Sequence, residues 1–504
     1  MKILSAEQTR QADAFTIKNE PIVSIDLMER AALKLFEWIK INYTFETHFV
    51  LFAGEGNNGG DVWALARLLS NAGYFNIDFY LLVLSGKLSA DSAINRQKLL
   101  ELGTVNVAEI KGSADFPDLK DDQCIVEGLF GSGLNRPLEG LAVELVQHLN
   151  TSKKQAVISV DIPSGLMADE NTTFNKDAVV EASHTLSFQA PKEAFFYAEN
   201  EKYVGEFIIL DIGLHHDFLS SVESSTSFIT RNEVTKTLNK RQKFSHKGTY
   251  GHGLLVAGSY GMMGAAVLSA RAAVHSGLGL LTTHVPRLGY EIMQISVPES
   301  LMSIDESDII LTEVNHLTKY TAVAIGPGLN TKKNTSLAIK RLLDNCKVPI
   351  VIDADAINVI AEHKDWLLQL PEQCIFTPHP KEFDRLTKIH NTHKERCEAQ
   401  KDFSEKYGVY VVLKGAYTSF STPDGKLFFN STGNAGMATG GSGDVLTGIL
   451  LGILAQGYSI KEAAILSVFI HGYAADKVAK EKGMTALTPS DIINYLGASF
   501  KDFE

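Results

Sequence analysis

Residues 433–457 read GNAGMATGGSGDVLTGILLGILAQG, and this stretch sets the architecture of the second half of the chain. Gly440, Gly441, Ser442 and Gly443 run straight into Asp444 and then into an apolar segment with helical spacing. Small residues let several backbone N–H groups turn toward one point, and the helix start adds its positive dipole end. Together they make an anion site suited to a phosphate. A carboxylate beside a phosphate needs a chemical reason. Asp444 is placed to take a proton from a hydroxyl that attacks the phosphate. The plain alternative is a glycine-rich turn with Asp444 as an ordinary N-cap, but a cap needs neither the glycine run nor the small residues before it.

Working outward, short apolar runs rich in Val, Ile and Phe alternate with helix-period segments. One series is HFVLFAG (48–54), NIDFYLLVL (76–84), QCIVEGLFG (123–131) and QAVISVDIP (155–163). A second is HGLLVAGS (252–259), TAVAIGPG (321–328), VPIVIDADA (348–356), QCIFTPHP (373–380) and VYVVLKG (409–415). Strands alternating with helices imply parallel sheets covered on both faces. Each series starts afresh with a strand entering a glycine turn, and 504 residues are too many for one core. The reading is therefore two α/β domains, residues 1–222 and 223–504: a Rossmann-like three-layer α/β/α sandwich, then a second α/β domain. Residues 5–41 carry two helices ahead of the first sheet.

The net charge of −12, with no concentration of Lys and Arg, argues against binding to nucleic acid or an anionic membrane. Four cysteines without paired spacing fit neither a disulfide framework nor a zinc site. The N-terminus lacks the apolar core of a signal peptide, and no apolar run reaches spanning length. A reducing, cytoplasmic compartment is expected.

In the first half, strand 48–53 enters GEGNNGGD (54–61), with a helix expected over about 61–73. Gly54, Gly56 and Gly59 match the dinucleotide fingerprint, and Asp78 lies about twenty residues on. Yet Asp61 at the helix start would repel a pyrophosphate. Asn57, Asn58 and Asp61 look more like groups for a cation or for the sugar and amide groups of a ligand; a turn with Asp61 as its cap is the plainer alternative. Glu127, followed by Gly131-Ser132-Gly133, and Asp161, followed by Ser164, sit at further strand ends. A carboxylate there costs several kcal/mol to desolvate unless it meets a cation or a proton-transfer partner.

GEGNNGGD, VEGLFGSGLNRP and VDIPSG, in this order and spacing, resemble the NAD(P)H-hydrate epimerase family. The resemblance implies that Asn57, Asn58, Gly59, Gly60 and Asp61, the loop Gly131, Ser132, Gly133, Leu134, Asn135, Arg136 and Pro137, and Asp161 contact a hydrated nicotinamide nucleotide. It also implies that Asn58, Glu127 and Ser164 hold a potassium ion. The family usually carries Asp where this chain has Glu127, and Gly where it has Val62.

The second half resembles the ribokinase-like superfamily, and within it the ADP- or ATP-dependent NAD(P)H-hydrate dehydratases. HKGTYGHGLLVAGSYGMMGAA, AIGPGL, IDADAIN, FTPHPKEF, LKGAYT and NAGMATGGSGDVLTGIL carry the likeness. It implies that Ala265, Gly328, His379 and Asp444 contact the hydrate, and that Lys414, Gly415, Ala416, Tyr417, Thr418 and Gly443 bind the adenine nucleotide. Mg²⁺ would bridge the phosphates, and the fused arrangement implies ADP.

The expected function is repair of hydrated NADH and NADPH (NADHX and NADPHX). These carry a C6 hydroxyl in R and S forms. The first domain would interconvert the epimers through Asp161. The second would phosphorylate the S-form hydroxyl with Asp444 as base, and loss of phosphate would restore the dihydropyridine. A homo-oligomer is expected. The competing reading pairs a small-molecule hydroxymethyl or sugar kinase with a non-catalytic nucleotide-binding module.

Overall fold

The computed structural model describes residues 1–169 and 176–504. The chain divides into two compact units, Lys2–Thr226 and Ser227–Glu504, with Met1 assigned to the latter. The division falls four residues beyond 222, inside the strand Thr226–Phe228.

In the first unit the strands are β1 (His48–Ala53), β2 (Ile77–Leu82), β3 (Asn106–Ile110), β4 (Gln123–Gly128), β5 (Ala156–Val160), β6 (His184–Phe188) and β7 (Glu206–Leu210). They form one sheet in the order β3-β2-β1-β4-β5-β6-β7, and every neighbouring pair is parallel. Both faces are buried, because alternate residues of β1 enter different cores: Phe49 and Leu51 on one side, Val50 and Phe52 on the other. That is why the strand reads as a continuous apolar run. The strand order reverses direction between β1 and β4, and the crevice beyond their carboxyl ends is where such sheets bind ligands.

The helix after β1 spans Asn57–Asn71 and so begins four residues before the expected start at 61. Asn57, Asn58, Gly59 and Gly60 are its first turn rather than a loop. The reason is steric. A Cβ on Gly59 would lie 2.0 Å from the Gly54 carbonyl oxygen, so the helix can start directly above the strand end.

The second unit carries β8 (Thr226–Phe228), β9 (His252–Val256), β10 (Leu280–Val285), β11 (Leu301–Ile304), β12 (Ala322–Ile325), β13 (Ile350–Ile352), β14 (Cys374–Phe376), β15 (Tyr410–Leu413), β16 (Ser419–Ser421) and β17 (Leu427–Phe429). Their order is β11-β10-β9-β12-β13-β14-β15-β16-β17-β8. From β11 to β15 the pairs are parallel, while β15–β16 and β16–β17 are antiparallel. The expectation of a parallel sheet therefore needs correcting at this end. LKGAYT is a tight turn, and a turn of that length joins only antiparallel neighbours. The apolar helix Ser442–Ala455 packs on the helix Met263–Val274 so closely that a Cβ on Gly448 would lie 2.1 Å from the Ser269 carbonyl oxygen. The reversal of strand order lies between β9 and β12.

Among the described residues no helix is long and apolar enough to cross a membrane. Cys124, Cys346, Cys374 and Cys397 are all buried.

Candidate functional site

In the first unit the turns after β1, β4 and β5 open onto one cavity of about 560 Å³. Asn57, Asn58 and Asp61 line it together with Gly131, Ser132, Gly133, Leu134, Asn135, Arg136 and Asp161. Gly59, Gly60 and Pro137 do not. Gly59 and Gly60 are buried at the start of the helix, where they allow the close approach.

The dinucleotide reading fails on geometry. Asp78 lies near the amino end of β2 and pairs with His48 Nε2 at 2.7 Å, at the opposite end of the strand from the cavity. Glu55 instead clasps the turn after β2, accepting from the backbone N–H of Leu84, Ser85 and Gly86.

Asp161 sits in the left-handed region at φ 64°, a conformation uncommon outside glycine and worth keeping only where its surroundings demand it. Its Oδ1 accepts from Lys192 Nζ at 2.7 Å and from the Phe188 N–H at 3.2 Å. Both residues of the pair are buried, Lys192 to 3% exposure. Lys192 also donates to Ser187 Oγ at 3.1 Å. The sequence reading missed this partner; its only signal was a lysine, in APKEAFF, set in an apolar run at a strand end. Two further carboxyl groups face the cavity. Asp61 is raised well above the usual carboxylate range by burial and by the charge of Asp161. Asp13, from the helix Ala6–Asn19, is pushed up to about 6 by burial and then by Asp161.

Asn58, Glu127 and Ser164 do come together. Ser159 Oγ (2.5 Å) and the Ser164 N–H (3.0 Å) donate to Glu127 Oε1; Ser164 Oγ (2.5 Å) and the Leu129 N–H (3.2 Å) donate to Oε2. Burial pushes the Glu127 carboxyl up, opposed by these bonds. Asn58 Nδ2 donates to the carbonyls of Phe130 (3.0 Å) and Val160 (3.1 Å). Those carbonyls, the Ser164 hydroxyl and the Asn58 amide form an oxygen-rich patch around a fully buried carboxylate. Oxygen donors beside a carboxyl group are the kind of set that can hold a hard cation. The Ser159 and Ser164 hydroxyls hold the two oxygens of the Glu127 carboxyl in place.

In the second unit the helix bearing Asp444 begins at Ser442, and its N-cap is Gly441 at φ 97°. Asp444 lies within the first turn. It is not the cap, so the plain reading of this aspartate fails. Its carboxyl is pushed up to about 7, by burial first and then by the nearby Asp353. Asp353, at the end of β13, accepts from Lys414 Nζ at 2.9 Å and from Thr447 Oγ1 at 2.7 Å. Burial works against the Lys414 charge, but Asp353 and Glu382 outweigh it and the net shift is upward. A Cβ built on Gly443 would meet Lys414 Nζ at 3.2 Å, so the ammonium lies directly beneath the glycine turn.

Gly328 and Ala265 adjoin, since a Cβ on Gly328 would be 3.2 Å from the Ala265 Cβ. Ser259 Oγ donates to the Gly328 carbonyl at 2.7 Å, and the Asn330 N–H donates to Asp355 Oδ2 at 2.8 Å. The turns after β9, β12 and β13 are thus tied together. His379 Nδ1 accepts from the N–H groups of Lys381 (3.1 Å) and Glu382 (3.2 Å), capping the helix Pro380–Leu386. Burial and the Lys414 charge hold its imidazole below the usual range. Gly415 and Thr418 close their own turn through the Thr418 hydroxyl, leaving Gly415 and Ala416 exposed and Tyr417 half-exposed beside it. The sequence reading also missed His471, buried with Nε2 3.4 Å from Ser442 Oγ and pushed down to about 4 by burial.

Residues 253–497 match the NAD(P)H-hydrate dehydratase family, and residues 24–194 match the YjeF-related protein N-terminus. The bifunctional NAD(P)H-hydrate repair enzyme of Moorella thermoacetica is 32% identical over 525 residues, covering 100% of this chain and 97% of the relative. This chain belongs to the bifunctional NAD(P)H-hydrate repair enzyme family. The Escherichia coli member is 32% identical, with 94% of this chain and 88% of the relative covered. Among solved structures, an ADP/ATP-dependent NAD(P)H-hydrate dehydratase from Bacillus subtilis, co-crystallised with ATP and Mg²⁺, is 34% identical with a TM-score of 0.50. It covers 55% of this chain and 99% of its own. A ribokinase-like superfamily protein from Enterococcus faecalis is 28% identical with a TM-score of 0.51, covering 56% and 98%. For a member of the repair family, the alternative of a sugar kinase beside an inert binding module is not favoured.

Proposed function

We propose that the chain interconverts the R and S forms of NADHX and NADPHX in its first domain (1–222) and dehydrates the S form in its second (223–504), with ADP or ATP as phosphoryl donor. The observation that carries the reading is one acid site in each unit, around Asp161 bonded to Lys192 and around Asp444 beside Asp353, in a chain aligned end to end with repair enzymes.

In the first site, Asn57, Asn58, Asp61, Gly131–Arg136 and Asp161 contact the hydrated nucleotide, and Asp161 moves the proton of the C6 hydroxyl. Asn58, Glu127 and Ser164 hold potassium, supported by the oxygen-rich patch around Glu127. In the second site, Ala265, Gly328, His379 and Asp444 contact the hydrate. Lys414–Thr418 and Gly443 bind the adenine nucleotide, whose phosphates arrive with Mg²⁺. Asp444 takes the hydroxyl proton as the oxygen attacks the terminal phosphate. Hydroxide is a poor leaving group and phosphate a good one, which gives the nucleotide its chemical purpose. ADP is the proposed donor. Buried cysteines without paired spacing suit work in a reducing cytoplasm. A homo-oligomer is supported by the exposed Leu301 and Ile304 on the edge strand β11.

The test is Asp161→Ala in the full chain, given mixed epimers and ADP. The variant is expected to consume the S form and stall near half of the mixture. Complete consumption at the wild-type rate would remove Asp161 from the exchange.

A further inference from the structure

Exchange at C6 needs two proton movements, and the Asp161–Lys192 pair accounts for one. The C6 hydroxyl and the ring nitrogen share a carbon, so the hydrate is a hemiaminal. Its stereocentre is lost if the O–H proton leaves, the oxygen forms a carbonyl with C6, and the C6–N1 bond breaks with its electron pair moving to N1. N1 must then be protonated. Rotation about C5–C6 presents the other face of the aldehyde, and the reverse steps close the ring. No oxidant or further reactant is required. A base at the oxygen and an acid at the nitrogen are.

The cavity offers two candidates for the acid, Asp13 and Asp61. Neither carboxyl has a hydrogen-bond partner among the described residues. Asp61 is buried to 8% exposure within the first turns of its helix, with Asp161, Asp13 and Asp91 all bearing on it. Burial first, and then those like charges, push its carboxyl well above the usual carboxylate range. Asp13 differs. It is half-buried on a separate element, the helix Ala6–Asn19, which also sends Thr9 and Arg10 to the cavity wall. Arg10 is engaged by Glu7 and does not neutralise it. Asp161 and Lys192 are the charges that act on Asp13, with opposite signs. Lys192 Nζ lies 2.7 Å from Asp161 Oδ1, so Asp161 has a cation bonded to it while Asp13 has none of its own. Two carboxyl groups in one cavity, one bonded to a cation and one without a partner, are in the unlike environments that can divide base from acid.

We propose that Asp13 is the acid partner of Asp161 in epimer exchange, protonating the ring nitrogen while Asp161 takes the C6 hydroxyl proton. This rests on the assignment of epimer exchange to the first domain. Burial, and then Asp161, bring the Asp13 carboxyl to about 6. The acid form is therefore lost as pH rises through that value, and the exchange rate falls on the alkaline side.

The experiment compares Asp13→Asn, Asp61→Asn and Asp161→Asn in the full chain, following epimer interconversion by chromatography from pH 5 to 9, with thermal melting of each variant. Asp13→Asn should lower kcat roughly 10²-fold or more, leave KM within about threefold, and lose the alkaline limb. Asp61→Asn should keep that limb. An Asp13→Asn enzyme within tenfold of wild type, or one with its alkaline limb intact, overturns the proposal, as does loss of the limb in Asp61→Asn alone. A purely structural Asp13 would shift melting and KM and leave the limb in place. If Asp161→Asn keeps wild-type exchange, the site assignment itself fails; if it loses exchange while Asp13→Asn does not, only the role of Asp13 fails.

Discussion

Lys414 Nζ lies 2.9 Å from Asp353 Oδ1, and the ammonium sits immediately below Gly443 at the start of the Asp444 helix. A cation at this point does two things. It opposes the upward shift of Asp444, and it adds positive charge under the glycine turn where backbone N–H groups gather. Asp353, exposed by only 1%, is what holds it there.

Removing the cation should therefore cost stability as well as activity. Lys414→Met leaves the buried Asp353 carboxylate without its cation, with only the Thr447 hydroxyl still bonded to it; breaking a buried pair typically costs about 3–5 kcal/mol. Urea unfolding followed by a probe in the second unit should show the loss. A midpoint unchanged from wild type would mean that the pair is not the buried anchor described.

Asp444→Asn should lower dehydration by roughly 10²–10⁴ with nucleotide binding retained, since the turn binds through backbone N–H groups. Burial raises this carboxyl to about 7, and a base works only when ionised. Wild-type dehydration should then climb with pH through about 7 and level off above it. The stability sign is the opposite. The folded state holds this proton more tightly than the unfolded chain, so the contribution is present at low pH and is lost as pH rises toward 7. Asp444→Asn should remove that part of the loss, seen as melting that depends less on pH across this range. Turnover above a tenth of wild type would rule out the base.

The motifs at strand ends were legible in the sequence because glycines and carboxylates interrupt apolar runs that otherwise allow no polar residue. Asn58, Glu127 and Ser164 could be gathered that way, and so could Asp444. Their bonding could not. Lys192 meets Asp161 across 31 residues and Lys414 meets Asp353 across 61, and no local period links such positions. The helix start at Asn57 was hidden for another reason. Glycine and asparagine at 57–60 read as a turn by local preference, and only the contact of Gly59 with the Gly54 carbonyl shows why they are helical. Asp13 lay in an ordinary amphipathic helix with nothing to mark it.

Gly59→Ala tests that contact. A Cβ at 2.0 Å from a backbone oxygen forces the strand end or the helix start to move. Epimer exchange should be lost and melting of the first unit lowered, while Gly73→Ala, in open space, should cost only the strain of its positive φ, on the order of 1 kcal/mol. Retained exchange in Gly59→Ala would show that the cavity tolerates displacement of its floor.

Glu127→Gln keeps the shape of the side chain and removes its charge. Exchange in the wild type should slow when lithium replaces potassium, and the variant should lose most of that difference. Equal rates in both salts for the wild type would argue that Ser159 and Ser164 satisfy Glu127 without any cation.

The central claim is that one chain carries both activities needed to return the whole of a damaged pool. The direct measurement supplies the full-length protein with mixed epimers of NADHX, ADP or ATP, Mg²⁺ and potassium, and follows the absorbance of the reduced nicotinamide ring together with inorganic phosphate. The account predicts recovery of NADH equal to the sum of both epimers, with one phosphate released for each. A stable phosphorylated product, or no recovery of NADH from either epimer, would contradict it.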